Sequence, residues 1–158
     1  STTATVANSI DFLAELFDKR QTSTVEFTPQ SNILVVDDEE VPRRNVVRAL
    51  STVKLSAIST DDPEVALKLL SENRFDLVFL DVEMPGLNGF ELCAQLRKLP
   101  LHTETPVVFV TALTDFQARV RSKLSGGNEF IAKPFLMIEL GVKALTHVMR
   151  QWLKSCKS

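Results

Sequence analysis

The stretch DLVFLDVEMPG, residues 76–86, decides the fold. Residues 77–80 form an apolar run that ends in Asp81, and a Met-Pro-Gly turn follows within a few residues. A short apolar run bounded by turn signals is typical of a strand that is buried on both faces. Asp81 is then expected at the carboxyl end of a central strand, which is the edge where open α/β sheets bind ligands. We therefore expect Asp81 to be chemically modified and the rest of the chain to position it and report its state.

The composition is that of an ordinary globular protein. The chain has 158 residues, of which 44% are hydrophobic and 24% are charged, and its net charge is −2. This length suits one domain with additional residues at its ends. The slightly acidic balance argues against a general affinity for nucleic acid or for a membrane surface. The longest apolar runs are shorter than the roughly 20 residues that span a bilayer, and signal-peptide features are missing, so we expect a cytoplasmic protein without membrane contact.

Four side chains that often carry chemistry are not expected to do so here. Cys93 and Cys156 are far apart and do not have metal-ligand spacing, which favours a reducing compartment. Cys93 falls on an apolar helical face and is expected in the core. His102 and His147 have no partner at the spacing of a metal site or a catalytic triad, and both are predicted to lie on the surface.

The N-terminal residues have a pattern of their own. Val6, Ile10, Leu13 and Phe17 recur at helical spacing, which predicts an amphipathic helix, and the polar residues 21–31 read as a linker. The helix either packs on its own domain or contacts another helix, and the sequence leaves both open. Three segments are therefore expected: an N-terminal helix with its linker over 1–31, a main domain over 32–154, and a tail over 155–158.

From residue 32 onward, apolar runs and helical patterns alternate. Five runs are predicted as strands: residues 33–36, 53–59, 77–80, 106–110 and 129–132. The second of these is the weakest. The helical patterns between them include Pro63 at a first helical position and Asn88 as a cap. Strands that alternate with helices predict an α/β domain with a five-stranded parallel sheet and helices on both faces.

Polar side chains follow four of the predicted strands. Asp37 and Asp38 follow the first, Asp81 the third, Thr111 the fourth, and Lys133 the fifth. The carboxyl ends of parallel strands share one edge, where three carboxylates repel one another unless a cation neutralises them. Oxygen ligands of this kind suit Mg²⁺ or Mn²⁺. A cation beside an aspartate and a lysine favours phosphoryl transfer, with Asp81 as the attacking group and an acyl phosphate as the product.

Each of these residues also has a simpler interpretation on its own. Asp37 or Asp38 could cap the helix that follows, and Asp81 could begin a turn. Thr111 alone is typical of a turn or cap, and Lys133 alone is typical of a solvated surface. Their convergence at successive strand ends is what favours one shared site.

Residues 32–150 resemble the receiver domain of bacterial response regulators. The matching pieces are Ile33-Leu-Val-Val-Asp-Asp38, Leu80-Asp-Val-Glu-Met-Pro-Gly86, Val107-Val-Phe-Val-Thr-Ala112 and Phe130-Ile-Ala-Lys-Pro134. They occur in the family's order and intervals over about three quarters of the chain. The resemblance implies a flavodoxin-like, doubly wound sheet with strand order 2-1-3-4-5, here with an extra N-terminal helix. It also implies a cytoplasmic signalling protein of a two-component system.

The resemblance assigns a phosphoacceptor and a metal site. Asp81 would accept a phosphoryl group from the histidine of a sensor kinase or a phosphotransfer protein. Asp38 and Asp81 would bind Mg²⁺ or Mn²⁺, with Asp37 acting largely through water. The backbone carbonyl of Glu83 would be a further protein ligand.

It also implies residues that respond to the phosphoryl group. Thr111 and Lys133 would contact the phosphate, and Phe130 would follow Thr111 inward. A phenylalanine lacks the hydroxyl of the tyrosine that is common at this position, so the switch would rest on packing. Glu83 and Leu113 flank the expected path of the hydrolytic water and would set the lifetime of the phosphorylated form. The Lys133–Pro134 bond is expected to be cis.

The expected output is protein contact rather than nucleic-acid or membrane binding. Ile138, Val142, Leu145, Met149 and Trp152 keep helical spacing along the last helix, whose outer part either packs on the domain or contacts a partner. A homodimer through the terminal helices is one possibility. The expected function is signalling to a partner protein, without enzyme activity beyond phosphorylation and dephosphorylation at Asp81. Two alternatives remain open: a receiver-like interaction module that is never phosphorylated, and a phosphatase that uses an aspartyl phosphate.

Overall fold

The computed structural model describes residues 31–156, and the predicted N-terminal helix and most of its linker lie outside them. The described residues form five strands, five α-helices and a short 3₁₀ turn. In chain order these are β1 Ile33–Val36, α1 Glu40–Thr52, β2 Ala57–Thr60, α2 Pro63–Glu72, β3 Leu77–Leu80, α3 Gly89–Leu96, the turn Pro100–His102, β4 Val107–Thr111, α4 Phe116–Leu124, β5 Glu129–Ala132 and α5 Met137–Cys156. No helix within residues 31–156 is long and apolar enough to cross a bilayer.

The five strands form one parallel sheet in the order β2-β1-β3-β4-β5. Strands β1, β3 and β4 are buried along their whole length, as their continuous apolar sequences predict. The edge strand β2 is partly exposed. The predicted fold class and strand order are therefore confirmed.

The strand register brings the carboxyl ends together. Val36 of β1 lies beside Leu80 of β3, so the residues that follow these strands are neighbours. Thr111 at the end of β4 lies beside Ala132 of β5, which immediately precedes Lys133. Polar residues that are far apart in the sequence are thus placed along one edge of the sheet.

Side chains at three helix starts accept backbone hydrogen bonds. Asp62 accepts from the Glu64 N–H at 2.9 Å, with Pro63 as the first residue of α2. Asn88 accepts from Glu91 N–H at 2.9 Å, which confirms it as the cap of α3. Asp115 caps α4 in the same way. Caps of this kind typically contribute about 1 kcal/mol each to helix stability.

Strand β2 begins at Ala57, four residues later than residue 53, where the sequence analysis placed it. Lys54 has a φ of 63°, and its N–H donates to Ser51 O at 3.1 Å. The Leu55 N–H donates to Leu50 O at 3.0 Å, which completes a left-handed helix end of the Schellman type. Residues 53–55 therefore close α1. The usual glycine signal is replaced by a lysine, so the sequence did not indicate this turn.

His102 is fully buried, and the prediction that it lies on the surface was wrong. Its Nε2 lies 2.9 Å from the backbone oxygens of both Leu70 and Asn73, so this nitrogen carries the hydrogen and donates it to the end of α2. Its Nδ1 lies 2.9 Å from Thr105 Oγ1 and accepts from that hydroxyl. The two backbone partners of Nε2 lie 32 and 29 residues away in the sequence, so no local pattern predicts them.

His147 is also buried, so the second surface prediction was wrong as well. Its Nε2 pairs with the carboxylate of Glu129 at the start of β5. Helix α5 packs on α1 closely enough that a Cβ at Gly141 would lie 3.2 Å from Ala49 O. Cys93 is buried in the core as predicted.

Arg97, just after α3, joins the loops before β4 and β5 at the amino edge of the sheet. Its guanidinium donates to Gly126 O at 2.7 Å and to Asn128 Oδ1 at 3.0 Å, both in the loop before β5. It also donates to His102 O at 3.0 Å and to Thr105 O at 2.6 Å. This network fixes the start of β5. Lys133 follows the opposite end of that strand.

Candidate functional site

Three carboxylates meet at the carboxyl edge of the sheet. One oxygen each from Asp37, Asp38 and Asp81 lies within 4.8 Å of the others. Asp37 and Asp81 are 3% and 4% exposed, while Asp38 is half-buried. Because β1 and β3 are adjacent, the residues that follow them must approach each other. The structure thus creates a concentration of negative charge that water screens poorly.

Lys133 brings a positive charge to the same cluster from the end of β5. Its Nζ lies 2.8 Å from Asp37 Oδ2 and 3.7 Å from Asp81 Oδ2. The other oxygen of Asp37 accepts the Glu39 N–H at 3.0 Å. One ammonium among three carboxylates leaves an excess of negative charge at the site.

The protonation of Asp81 reflects this excess. Burial, followed by the nearby Asp37 carboxylate, raises the pKa of Asp81 from 3.8 to about 6. Lys133, a hydrogen bond from the Thr111 side chain and the Val82 N–H act in the opposite direction and lower the pKa. The Val82 N–H donates to Asp81 Oδ1 at 2.8 Å. Asp81 is therefore ionised at neutral pH but close to taking up a proton, and a bound cation would keep it ionised.

The donor set fits a divalent cation with a preference for oxygen ligands. Asp38 Oδ1 is buried and has no hydrogen-bond partner. Within residues 31–156, every other side-chain nitrogen or oxygen that is buried to the same extent has a hydrogen-bond partner. A buried carboxylate oxygen without a partner is unfavourable unless an ion or a water satisfies it. Three aspartates with a carboxylate oxygen each within 4.8 Å of the others match the preference of Mg²⁺ and Mn²⁺ for oxygen ligands.

The loop after Asp81 is held close to α3. Val82 O accepts the Met84 N–H at 3.1 Å and the Gly89 N–H at 3.0 Å. A Cβ at Gly89 would lie 2.2 Å from the Asp81 backbone oxygen, so glycine is the residue that fits this position. The sequence analysis did not single out Gly89, although its place directly after the cap Asn88 was a signal. Glu83 lies on this loop with an exposed side chain.

The predicted response residues lie on the neighbouring strands. Thr111 is fully buried, and its hydroxyl oxygen accepts the Leu113 N–H at 3.2 Å, which leaves the hydroxyl proton for Asp81. Phe130 is half-buried and packs against the hydrophobic core, as does Leu113. The Lys133–Pro134 peptide bond is cis, as expected. The structure thus brings Asp37, Asp38, Asp81, Thr111 and Lys133 to one edge of the sheet, while Glu83 and Leu113 lie two residues beyond Asp81 and Thr111, and Phe130 lies on β5.

Residues 33–145 match the family described as the response regulator receiver domain. The chain belongs to this family.

Similar proteins agree with this membership. The receiver domain is 39% identical over 108 residues to the response regulator MprA of a Mycobacterium species, covering 68% of this chain and 46% of that protein. The chemotaxis protein CheY4 of Vibrio cholerae superposes with a TM-score of 0.68 at 29% identity, covering 75% of this chain and 98% of that one. The BeF3-activated receiver domain of DrrB, from Thermotoga maritima, gives a TM-score of 0.68 at 25% identity, covering 75% and 97%.

The chain spans about half the length of the curated relatives that it matches, with shares between 45% and 54%. Several of those relatives are named transcriptional regulators. The family and the fold that this chain shares with each relative are those of the relative's receiver domain.

Proposed function

We propose that this receiver domain accepts a phosphoryl group on Asp81 from the phosphohistidine of a sensor kinase or a phosphotransfer protein, and signals to a partner protein. The observation that carries the proposal is the meeting of Asp37, Asp38 and Lys133 around the buried carboxylate of Asp81. A site built only for helix capping would not need three carboxylates and an ammonium in contact. Two-component signalling of this kind takes place in the cytoplasm.

The chain's own residues supply most of the chemistry. A carboxylate oxygen of Asp81 forms a bond to phosphorus as the phosphorus–nitrogen bond of the donor histidine breaks, and the donor imidazole keeps the electron pair. The Val82 N–H holds the carboxylate in position at 2.8 Å. Lys133 lies where its ammonium can leave Asp37 for an oxygen of the phosphoryl group. The product is an acyl phosphate of Asp81.

Asp37, Asp38 and Asp81, with the backbone carbonyl of Glu83, are the proposed ligands of Mg²⁺ or Mn²⁺. When bound, the ion offsets the charge on the oxygens of the transferring phosphoryl group. The unsatisfied Asp38 Oδ1 supports its assignment as a direct ligand.

Phosphorylation would change the surface formed by α4 and β5. A phosphoryl group adds negative charge and strong acceptor oxygens beside Thr111 and Lys133, which biases a two-state element. Phe130 would follow Thr111 and alter the surface of α4. On that helix, Phe116 and Leu124 are 80% and 81% exposed, which is unusual for large apolar residues. We propose this surface as the contact for the downstream protein. A second candidate contact is α5, where Leu153 is also exposed, and a homodimer through the terminal helices would use this surface.

Intact mass spectrometry after incubation with acetyl phosphate and Mg²⁺ tests the proposal. The wild type is expected to gain one phosphoryl group when Mg²⁺ is present, and Asp81→Asn is expected to gain none. Asp76→Asn is the matched control, because it makes the same substitution at the opposite end of β3, where Asp76 accepts the Asn32 N–H. A folded wild type that gains no mass would instead favour the unphosphorylated interaction module. Turnover of a small phosphomonoester would favour the phosphatase.

A further inference from the structure

Arg43 of α1 holds the backbone of the loop that carries two of the three carboxylates. Its Nη1 donates to the backbone oxygen of Asp37 at 3.0 Å. In return, the Asp37 side chain accepts the N–H of Glu39, the residue before α1, at 3.0 Å. The Asp37 N–H donates to Thr60 O of β2 at 3.2 Å. Asp37 is therefore tied to the helix by two hydrogen bonds and to the sheet by a third.

The oxygen that Arg43 binds belongs to the peptide group between Asp37 and Asp38. A peptide group is planar, so a fixed carbonyl oxygen also fixes the direction in which the chain enters Asp38. The Oδ1 atom of Asp38 is buried and has no hydrogen-bond partner among residues 31–156. The position of this oxygen therefore depends on the backbone that Arg43 holds, and not on a hydrogen bond of its own.

The start of α1 has less local support than the starts of α2, α3 and α4. Glu39 is the cap residue of α1, and its side chain accepts no backbone hydrogen bond there. At the other three helices, the side chains of Asp62, Asn88 and Asp115 do so. A charged donor makes a stronger hydrogen bond than a neutral one, and Arg43 is half-buried. Loss of Arg43 is thus expected to loosen the loop between β1 and α1.

We propose that Arg43 is a positioning residue for the cation site, because it holds Asp38 in the direction from which its carboxylate reaches the ion. This inference rests on the proposed function, which supplies the cation site, and it adds a residue outside the ligand set. A guanidinium repels a nearby cation, so removal of Arg43 would strengthen cation binding if the residue acted through its charge alone. A positioning role predicts weaker binding, because a ligand that is no longer held loses affinity.

Arg44 provides the matched control. It is the next residue of α1 and carries the same charge. Its side chain is 75% exposed, and its guanidinium pairs with Glu40 Oε1 at 3.0 Å. Arg44→Met therefore removes one positive charge from the same turn of the helix but leaves the hydrogen bond between Arg43 and Asp37 in place.

The test is the dissociation constant of Mn²⁺, measured from the electron paramagnetic resonance signal of the free ion, for variants whose circular dichroism matches the wild type. Arg43→Met is expected to weaken binding about ten-fold, as does the loss of other residues that orient a metal ligand. Arg43→Gln is a second variant that also lacks the charge, and it too should bind more weakly. Arg44→Met should bind like the wild type or slightly more tightly. In an Asp38→Asn background, most of the effect of Arg43→Met should disappear, because the residue through which Arg43 acts has already been changed.

Unchanged or tighter Mn²⁺ binding by the folded Arg43 variants would overturn the inference. So would equal weakening by Arg44→Met, or an undiminished effect of Arg43→Met in the Asp38→Asn background. Each of these outcomes leaves Mn²⁺ binding by the wild type intact, so it is distinct from a failure of the proposed function. A folded wild type that binds no Mn²⁺ would overturn the proposed cation site and this inference with it.

Discussion

Binding of Mg²⁺ is expected to weaken sharply when the pH falls from 7 to 5, because a proton and the cation compete for Asp81. Burial and the neighbouring Asp37 raise the pKa of Asp81 to about 6, whereas an exposed aspartate titrates near 3.8. The direction follows from the sign of the shift. A raised pKa means that Asp81 takes up a proton at a higher pH than usual, and the ion binds only the deprotonated carboxylate.

The size of the effect follows from the same pKa. The apparent dissociation constant is multiplied by one plus the ratio of the proton concentration to the acid dissociation constant of Asp81. With a pKa of about 6, this factor is about 1.1 at pH 7 and about 11 at pH 5, so affinity falls about ten-fold. With an ordinary pKa the factor at pH 5 would still be about 1.1, and acidification would leave the contribution of Asp81 unchanged.

Isothermal titration calorimetry at the two pH values measures this change directly. Titrations in two buffers with different ionisation enthalpies should also show release of close to one proton per ion at pH 5. Asp81→Asn is the control, since its side chain cannot take up the competing proton. Equal wild-type affinities at pH 7 and pH 5 would refute the reasoning, and so would an equal loss of affinity in Asp81→Asn.

Three further predictions concern single residues. Arg97→Met is expected to lower the free energy of unfolding, measured in urea, by about 2–4 kcal/mol, because it leaves several loop carbonyls without their charged donor. Gly89→Ala is expected to lower the free energy of unfolding by at least about 2 kcal/mol, because the Cβ of the alanine would meet the Asp81 backbone. Gly86→Ala should cost only about 1 kcal/mol, since its φ of 81° is strained for alanine but its surroundings are open. Leu113→Ala is expected to speed decay of the acyl phosphate several-fold by admitting water, and Glu83→Ala to alter the decay rate as well.

Each of these predictions has a result that would contradict it. Lys98→Met is the control for Arg97→Met, because Lys98 is the next residue and is exposed. A loss below about 1 kcal/mol for Arg97→Met, or the same loss in both methionine variants, would contradict the role of the network. Equal costs for the two glycine variants would contradict the argument from backbone contact at Gly89. Decay rates that are unchanged in both Leu113→Ala and Glu83→Ala would remove these residues as determinants of lifetime.

The sequence predicts the position of the carboxyl edge well because apolar runs fix where buried strands end. The apolar residues 77–80 have a polar residue directly before and after them, and so do the apolar residues 33–36, so the sequence shows where each strand ends. Once the strands are parallel and adjacent, the meeting of Asp81 with Asp37 follows from the register alone. Thr111 and Lys133 join them for the same reason.

Features that depend on distant partners were not predictable in this way. The polar sequence around His102 looks like surface, but its imidazole lies under α2 and bonds to backbone oxygens about 30 residues away. The start of β2 was misplaced because Lys54 adopts a left-handed conformation that sequence patterns assign to glycine or asparagine. The contact between Arg119 and Phe130 joins a helix to a strand through side chains, and neither residue alone indicates the other.

The most direct measurement is to locate the phosphoryl group itself. Borohydride converts an aspartyl phosphate to homoserine, so the protein would be phosphorylated with acetyl phosphate and Mg²⁺, reduced, digested and analysed by peptide mass spectrometry. We predict conversion at position 81, with Asp37 and Asp38 unmodified. Conversion at either of those two aspartates instead, or a stable folded protein with no conversion at all, would contradict the assignment of Asp81 as the phosphoacceptor.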